Sequence, residues 1–525
     1  MSDVDFLIVG AGPAGLATAI RLRQKLRAAN RDASVVVIEK APRLGYHNLS
    51  GAAFEADCLD ELLPDWREEK DPFIKSMVPV ERDEMYFLTQ ENAKPVPHSL
   101  VPRYMRHQGD YAISITRLVR WLGAVAQREG AEVHLGFAAR EVLIEDGRIR
   151  GVKLVDLGRD ARGKPQSNFL EGETVTARAT VFCDGSRGVL SRQLTRIHGG
   201  GRNPQIYSVG IKQLIKLPKD NAFGERRVMH TLGYPCREDV FGGGFLYDMG
   251  GNEVAAGLIL GLDWSYRDLN PQREMELFKR HPFIAALLKE GEVVATGVKT
   301  VPEGGYYSLP KLALDGGLLA GDAAGFVNMR KIKGIHYAIW SGIAAADTLA
   351  NALEKDDFSE AALQSYREAL EPRVLRPMRS ARNYRQCFRL GLYLGAPLST
   401  IQHLLPFRIK TDPDYATTRR DKQLARPEIG LDKATFVSLS GANHREDEPS
   451  HILIKDPDLC LKCTEEYGNP CTQLCPGEVY RMGEGGLILS PSNCMHDGSC
   501  AVKCPYQNIE WTVPEGGEGP RYRKM

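Results

Sequence analysis

Residues 4–26 read VDFLIVGAGPAGLATAIRLRQKL, and this stretch decides the fold. Its first six residues are an apolar run of strand type, Gly10-Ala11-Gly12-Pro13-Ala14-Gly15 follows, and the remainder has helical period. A second apolar run, VVVIEK at 35–40, ends on Glu39 and Lys40. G-x-G-x-x-G between a strand and a helix suits a diphosphate. Gly10 permits the tight turn, Gly12 the approach of backbone to a pyrophosphate, and Gly15 close packing of helix on strand. The helix N-terminus then faces the negative charge. Glu39 is placed to accept hydrogen bonds from ribose hydroxyls, with Lys40 beside it. A glycine-rich turn without a ligand has the same local sequence, but the strand–helix–strand context argues for a dinucleotide.

Two later stretches narrow the dinucleotide. Residues 180–188, TVFCDGSRG, are an apolar strand ending at Asp184. Residues 316–325, GGLLAGDAAG, end a strand at Gly321-Asp322 and are expected to run into a helix. Strand–GD–helix resembles the second FAD motif of flavoproteins with the glutathione-reductase-type fold, in which the Asp holds the ribityl chain. An Asp322 that merely caps a helix is compatible with the same residues. The small residues of RLGYHNLSGAA, 43–53, let backbone approach a flavin ring. Arg330, Lys331 and Lys333 follow the GD motif, where positive charge would stabilise a reduced flavin. A solvated basic loop is the plainer alternative.

Between 201 and 300, strand-like stretches alternate with turn clusters, which suggests a mostly antiparallel sheet inserted in the nucleotide domain. Within it, FGGGFLY at 241–247 sets bare backbone between aromatics. Taken alone, that stretch suggests a β-bulge or hairpin corner. Arginines at 373, 376, 379, 382, 385 and 389 fall close to one helical stripe. Apolar residues then dominate from Leu390 to Phe407, followed by Arg408 and Lys410. An apolar patch flanked by base suits a membrane surface, and Gly395 and Pro397 break it too early for a span. A core helix pair under a solvated basic face fits the pattern equally well. Residues 411–450 are polar and contain proline, which suggests a linker.

Seven of the 11 cysteines lie in DLCLKCTEEYGNPCTQLCPGEVYRMGEGGLILSPSNCMHDGSCAVKCP, 458–505. The spacing is C-x2-C-x7-C-x3-C-P, then C-x2-D-x2-C-x3-C-P. Bacterial ferredoxins use C-x2-C-x2-C-x3-C-P, and in two-cluster versions the fourth Cys of each run ligates the other cluster. The first run here is longer, and the second carries Asp497 where a Cys is usual. Structural zinc is the main competitor. Disulfides suit a secreted chain, whereas this one opens on a nucleotide-binding strand. Lys+Arg 68 against Asp+Glu 67 gives a net charge of +1 and argues against nucleic acid as a partner.

Against this background the chain resembles the electron transfer flavoprotein–ubiquinone oxidoreductase family along nearly its whole length. The matching stretches include LSGAAFE, FGGGFLYDM, GFVNMRKIKGIHYAIWSG, LSGANHREDEPSHI, LCPGEVY and NIEWTVPEGGEGPRY. The resemblance implies FAD, a [4Fe–4S] cluster, quinone as substrate and electron transfer flavoprotein as donor. It also implies monotopic attachment to a membrane, and a quinone carbonyl held by backbone at Gly242 and Gly243. The family's cluster falls on Cys475, Cys494, Asp497 and Cys500. By ferredoxin topology, Cys460, Cys463, Cys471 and Cys504 would share a second one. Two clusters are therefore expected, one all-cysteine [4Fe–4S], the other Asp-ligated [4Fe–4S] or [3Fe–4S]. The extra run is similar to the ferredoxin-like subunit of electron-bifurcating nitrogen-fixation complexes, so a quinone-reducing subunit of such a complex with its ferredoxin fused is the alternative function. A flavoprotein scaffold with a zinc module is the non-enzymatic one.

The expected class is α/β: a glutathione-reductase-type FAD-binding Rossmann-like domain over 1–80, 105–200 and 306–380, with an inserted antiparallel quinone domain over 81–104 and 201–305. A membrane-surface segment and linker over 381–449 and a ferredoxin-like domain over 450–525 complete it. No catalytic acid or base is assigned. The N-terminus leaves no room for a transit peptide, so the expected location is the cytoplasmic face of a bacterial inner membrane.

Overall fold

The computed structural model describes residues 3–51 and 53–525. Met1, Ser2 and Ala52, the last inside the small-residue loop of 43–53, lie outside the described residues.

The apolar runs form the parallel centre of an eight-stranded sheet. Asp3–Val9 pairs in parallel with Val35–Glu39 on one side and Thr174–Phe182 on the other. Glu132–Leu135 and Gly317–Leu319 extend the parallel set outward. Phe6, Leu7 and Ile8 are fully buried, as a strand covered on both faces requires. The Pro13–Ala28 and Ile335–Lys355 helices pack on this sheet, and their cores are continuous with it. The strand ends that carry Val9, Glu39, Phe182 and Leu319 converge on one edge, the place where doubly wound sheets bind ligands.

The second sheet has seven strands. Its order is Glu292–Pro302, Tyr207–Lys216, Glu253–Gly261, Gly242–Asp248, Arg227–Gly233, Arg82–Leu88, Ala93–Pro95. All pairs are antiparallel except Arg227–Gly233 with Arg82–Leu88, which run parallel. Residues 241–247 form neither a bulge nor a hairpin corner. Gly242–Asp248 is a regular strand with unbroken register against Glu253–Gly261, from Gly242↔Leu260 to Asp248↔Val254.

The polar stretch 411–450 is not an open tether. It contains the Asp414–Thr417 turn and the Lys433–Ser440 helix. Leu424 and Phe436 are buried with Leu474, Met495 and Val502 in the core of the second sheet. The cysteine-rich region therefore docks directly on that sheet. Two side chains and one backbone amide of the Glu292–Pro302 strand fix the docking. Thr296 Oγ1 donates to the Phe436 carbonyl (2.6 Å) and Thr300 Oγ1 to the Asp497 carbonyl (2.7 Å), and Val298 N–H is 3.2 Å from Tyr522 Oη.

The expected arginine stripe does not form. The 365–404 segment is a succession of short helices interrupted at 381–383, so the three-residue spacing is not projected on one face. Arg385 is fully buried, bound to Glu303 (2.8 Å) and Asp263 (2.6 Å). The apolar run behaves differently. Gly391–Ile401 is a helix with Pro397 inside it, and Leu390, Tyr393, Leu394, Ile401, Leu404 and Phe407 are all exposed. No helix among the described residues is long and apolar enough to cross a membrane.

Candidate functional site

A single cavity of about 860 Å³ runs between the two sheets. At one end lie Gly10, Gly12, Glu39, Lys40, Asp184, Gly321 and Asp322. Gly10 has φ of +103°, and a Cβ there would meet the Cys183 carbonyl oxygen at 2.4 Å. A Cβ on Gly15 would meet the Gly10 oxygen at 2.0 Å, so Gly15 serves the helix–strand contact and does not line the cavity. Glu39 holds the turn through its two oxygens, accepting from Ala11 N–H (2.9 Å) and Ala41 N–H (2.8 Å). Asp184 Oδ2 accepts from Leu190 and Ser191 N–H and so caps the Val189–His198 helix, while Oδ1 is buried without a partner. Asp322 is not a cap. The short Gly321–Ala324 turn has no side-chain cap, and the long helix begins only at Ile335. Burial pushes the Asp322 carboxyl up to about 6, against the pull of Lys299. Burial, reinforced by Lys299, brings Lys40 down to about 8. A turn with no room for a side chain at Gly10, an orphaned carboxylate oxygen and desolvated charges on the cavity fit a bound dinucleotide.

The opposite wall is the second sheet. Gly242, Gly243 and Gly244 line it with Thr231 and Leu232. The register between the Arg227–Gly233 and Gly242–Asp248 strands runs only from Val228↔Tyr247 to Thr231↔Gly244, so it stops short of Gly242 and Gly243. Bare backbone is thus presented to the cavity next to Cys236. Leu392, Ala396 and Pro397 of the exposed apolar segment also line the cavity.

The cysteines form two groups, all free thiols. Burial raises every one of these thiols whose shift is resolved, and their mutual fields show which are neighbours. Cys460, Cys463 and Cys471 are each raised further by Cys504. Cys475, Cys494 and Cys500 are each raised further by Asp497. Cys463 reaches about 12, Cys475 about 11 and Cys494 about 12. Such values hold for thiols without a cation, and a metal would deprotonate them outright. Amide donors already point at sulfur: Asn508 Nδ2 at Cys460 (3.3 Å), Asn508 N–H at Cys504 (3.3 Å) and His496 N–H at Cys494 (3.4 Å). Asp497 Oδ1 accepts from Ser499 N–H at 2.9 Å. The donor set and its N–H···S contacts fit iron–sulfur clusters.

Lys299, which motif reasoning missed, joins the two halves of the site. It lines the cavity, and the nearby Asp497, Asp322, Glu39 and Cys494 oppose the lowering that burial imposes on it. A lone Lys within the apolar strand sequence GVKTV was the available signal. Also missed was a polar group around His230. The basic loop after the GD motif proves neither solvated nor freely positive. Lys331 and Lys333 both bind Glu55, Lys333 also binds Asp110, and Arg330 stacks on Tyr104.

Sheet, cavity and cysteine groups together define an FAD-dependent oxidoreductase with an iron–sulfur domain. Comparison with known proteins makes this specific. Residues 427–523 match the family description "Electron transfer flavoprotein-ubiquinone oxidoreductase, 4Fe-4S", residues 207–301 match "ETF-QO, ubiquinone-binding", and residues 8–57 match an NAD(P)-binding Rossmann-like domain. The chain is 36% identical to the electron transfer flavoprotein-ubiquinone oxidoreductase of Pseudomonas aeruginosa, over 100% of this chain and 99% of that one. It is 37% identical to a probable mitochondrial enzyme of that name from Schizosaccharomyces pombe, over 99% of this chain and 86% of the other. The protein belongs to the electron transfer flavoprotein–ubiquinone oxidoreductase family. Among solved structures, a geranylgeranyl bacteriochlorophyll reductase-like protein from Thermoplasma acidophilum shares the fold, with a TM-score of 0.60 at 20% identity over 78% of this chain and 94% of that one. A flavin-dependent brominase has a TM-score of 0.54 at 15% identity over 77% and 93%.

Proposed function

We propose that this protein takes electrons from reduced electron transfer flavoprotein and delivers them to a membrane quinone. The observation that carries this is the single cavity. It joins the glycine cradle at Gly10–Gly12 to the bare backbone at Gly242–Gly243 and opens beside the exposed apolar segment 391–401. FAD in the cradle supplies the joint between single-electron delivery and two-electron reduction of quinone.

The residues divide the work. Gly10, Gly12, Glu39, Lys40, Asp184, Gly321 and Asp322 bind and orient the flavin nucleotide. Gly242 and Gly243 present backbone to a quinone carbonyl. Cys475, Cys494, Asp497 and Cys500 hold an inner cluster beside Lys299, and Cys460, Cys463, Cys471 and Cys504 an outer one. The outer group includes the two half-buried thiols of the block, Cys471 and Cys504, and so stands as the point of electron entry. Leu394, Leu404 and Phe407 rest on the lipid surface of a bacterial inner membrane, on its cytoplasmic face, and quinone enters between them and the second sheet.

An electron-bifurcating assembly is not favoured, because the family description covers the whole seven-cysteine block and the relatives named for the ubiquinone oxidoreductase align from end to end. The test is steady-state quinone reduction by reduced electron transfer flavoprotein, with no NADH or ferredoxin present. Turnover under those conditions is expected, and strict dependence on a bifurcating partner would reject the proposal. Leu394→Glu with Leu404→Glu is expected to lower retention on anionic liposomes by about tenfold or more while leaving FAD content unchanged.

A further inference from the structure

Quinone reduction consumes protons, and a connected set of titratable side chains lies on the cavity wall. His230 Nε2 is 2.5 Å from the Tyr247 hydroxyl. The His230 ring stacks on His107 with centroids 4.8 Å apart. His107 Nδ1 is 3.1 Å from Asp110 Oδ2, and its backbone N–H donates to Asp83 Oδ2 at 2.7 Å. A nitrogen of each ring and an Asp83 oxygen all lie within 4.8 Å of one another, a spacing that one water bridges. Asp110 is anchored by Lys333, which Glu55 binds in turn, and Lys331 at the outer end is one-third exposed.

We infer that Asp110, His107, His230 and Tyr247 carry the protons of quinone reduction from solvent to the cavity, with Lys333, Glu55 and Asp83 positioning them. This rests on the quinone site proposed above at Gly242 and Gly243. The register supports the geometry. Gly243, Phe245 and Tyr247 alternate onto one face, and His230 stands directly opposite Phe245, so it shares that face. The diagonal from Gly243 to His230 is roughly 7–8 Å, the span of a quinone ring plus one hydrogen bond.

The balance is one quinone, two electrons and two protons to one quinol. Electrons come from the flavoprotein donor and protons from solvent. A quinone oxygen takes a proton from the His230–Tyr247 pair, an O–H bond forms as an N–H or O–H bond breaks, and His107 with Asp110 returns a proton to the pair. Burial, reinforced by His107 and Lys333, keeps His230 neutral, and burial with Asp83 and Asp110 keeps Tyr247 protonated. The resting pair thus holds transferable protons without a buried charge, which would be costly.

The experiment compares two acceptors with the full holoenzyme. One is a soluble quinone, which takes protons, and the other is ferricenium, which takes only an electron. His230→Gln is expected to lower quinone turnover about 100-fold, with KM for quinone and ferricenium turnover unchanged. Tyr247→Phe is expected to lower quinone turnover and to raise its solvent deuterium isotope effect, because proton delivery becomes the slower step. His230→Gly is expected to regain quinone turnover when imidazole is added. Unaltered quinone turnover and isotope effect in both His230→Gln and Tyr247→Phe would overturn the inference, and so would equal loss with both acceptors. The quinone site is read separately: Gly243→Val raises KM for quinone without altering the isotope effect if that site is right, and leaves KM unchanged if it is wrong.

Discussion

The two cysteine groups have similar sequence spacing and opposite surroundings. Cys460, Cys463, Cys471 and Cys504 are held by the Pro457–Tyr467 helix and its neighbours, against Glu466, Tyr467 and Tyr506, at the rim of the molecule. Cys475, Cys494, Asp497 and Cys500 are all buried, beside Lys299 and Tyr522 and under the strand that walls the cavity. The group with the carboxylate is therefore the one nearest the nucleotide cradle, and the all-sulfur group faces outward. In the proposed assignment the carboxylate oxygen sits beside Lys299, and the rim carries four thiols.

The largest effect that would break this contrast comes from the inner group. Cys494→Ala is expected to abolish quinone reduction, at least about 100-fold, while iron falls from about eight or seven per FAD to about four. Iron and sulfide assay with EPR of the reduced protein reads this, and four irons with one spin system in the unaltered protein would remove the distinction altogether. Cys463→Ala is expected to slow electron entry about tenfold, leaving flavin content and inner-cluster spectra intact. Stopped-flow mixing with reduced electron transfer flavoprotein measures it, and an unchanged rate would demote the outer group to a structural role. Asp497→Cys is expected to stop the conversion to [3Fe–4S] on mild oxidation and to shift the inner potential, since oxygen ligation leaves one iron labile. Redox titration followed by EPR checks both.

The smallest expected difference lies in pH. Burial raises the unmetallated Cys463, Cys475 and Cys494 thiols, so they are protonated at neutral pH and each must lose a proton on ligation. Loading therefore strengthens as pH rises toward the thiol values. In the proposed assignment the outer group has four thiols to deprotonate and the inner group three. Reconstitution with ferrous iron and sulfide across about pH 7 to 9 should show the steeper dependence at the rim.

Local features proved the most readable in sequence. Gly10, at a φ of +103°, and Gly15, packed on the Gly10 oxygen, leave no room for a side chain, so the glycine spacing exposes the turn. Cysteine spacing likewise carries the grouping, because short helices hold neighbouring ligands together. What stayed hidden depends on distant partners. Arg385 looked like one of a basic stripe, yet Glu303 and Asp263 draw it into the interior from 82 and 122 residues away. His230 and Tyr247 meet only because two strands align. The 411–450 stretch looked like a tether because its polar residues outnumber the few, Leu424 and Phe436, that anchor it. Helical period could not foresee the break at 381–383, where Asn383 is bound by Gln402, Phe407 and Ile409.

After its last cysteine the chain turns back across the nucleotide half. Gly517 N–H donates to the Lys40 carbonyl (2.8 Å), Tyr522 N–H to the Tyr46 carbonyl (3.0 Å), and the Met525 carbonyl accepts from Thr116 Oγ1 (2.8 Å). This strap lashes the cysteine region to the nucleotide half. Shortening the chain from residue 512 onward is therefore expected to loosen the cysteine region from the nucleotide half, which limited proteolysis reads.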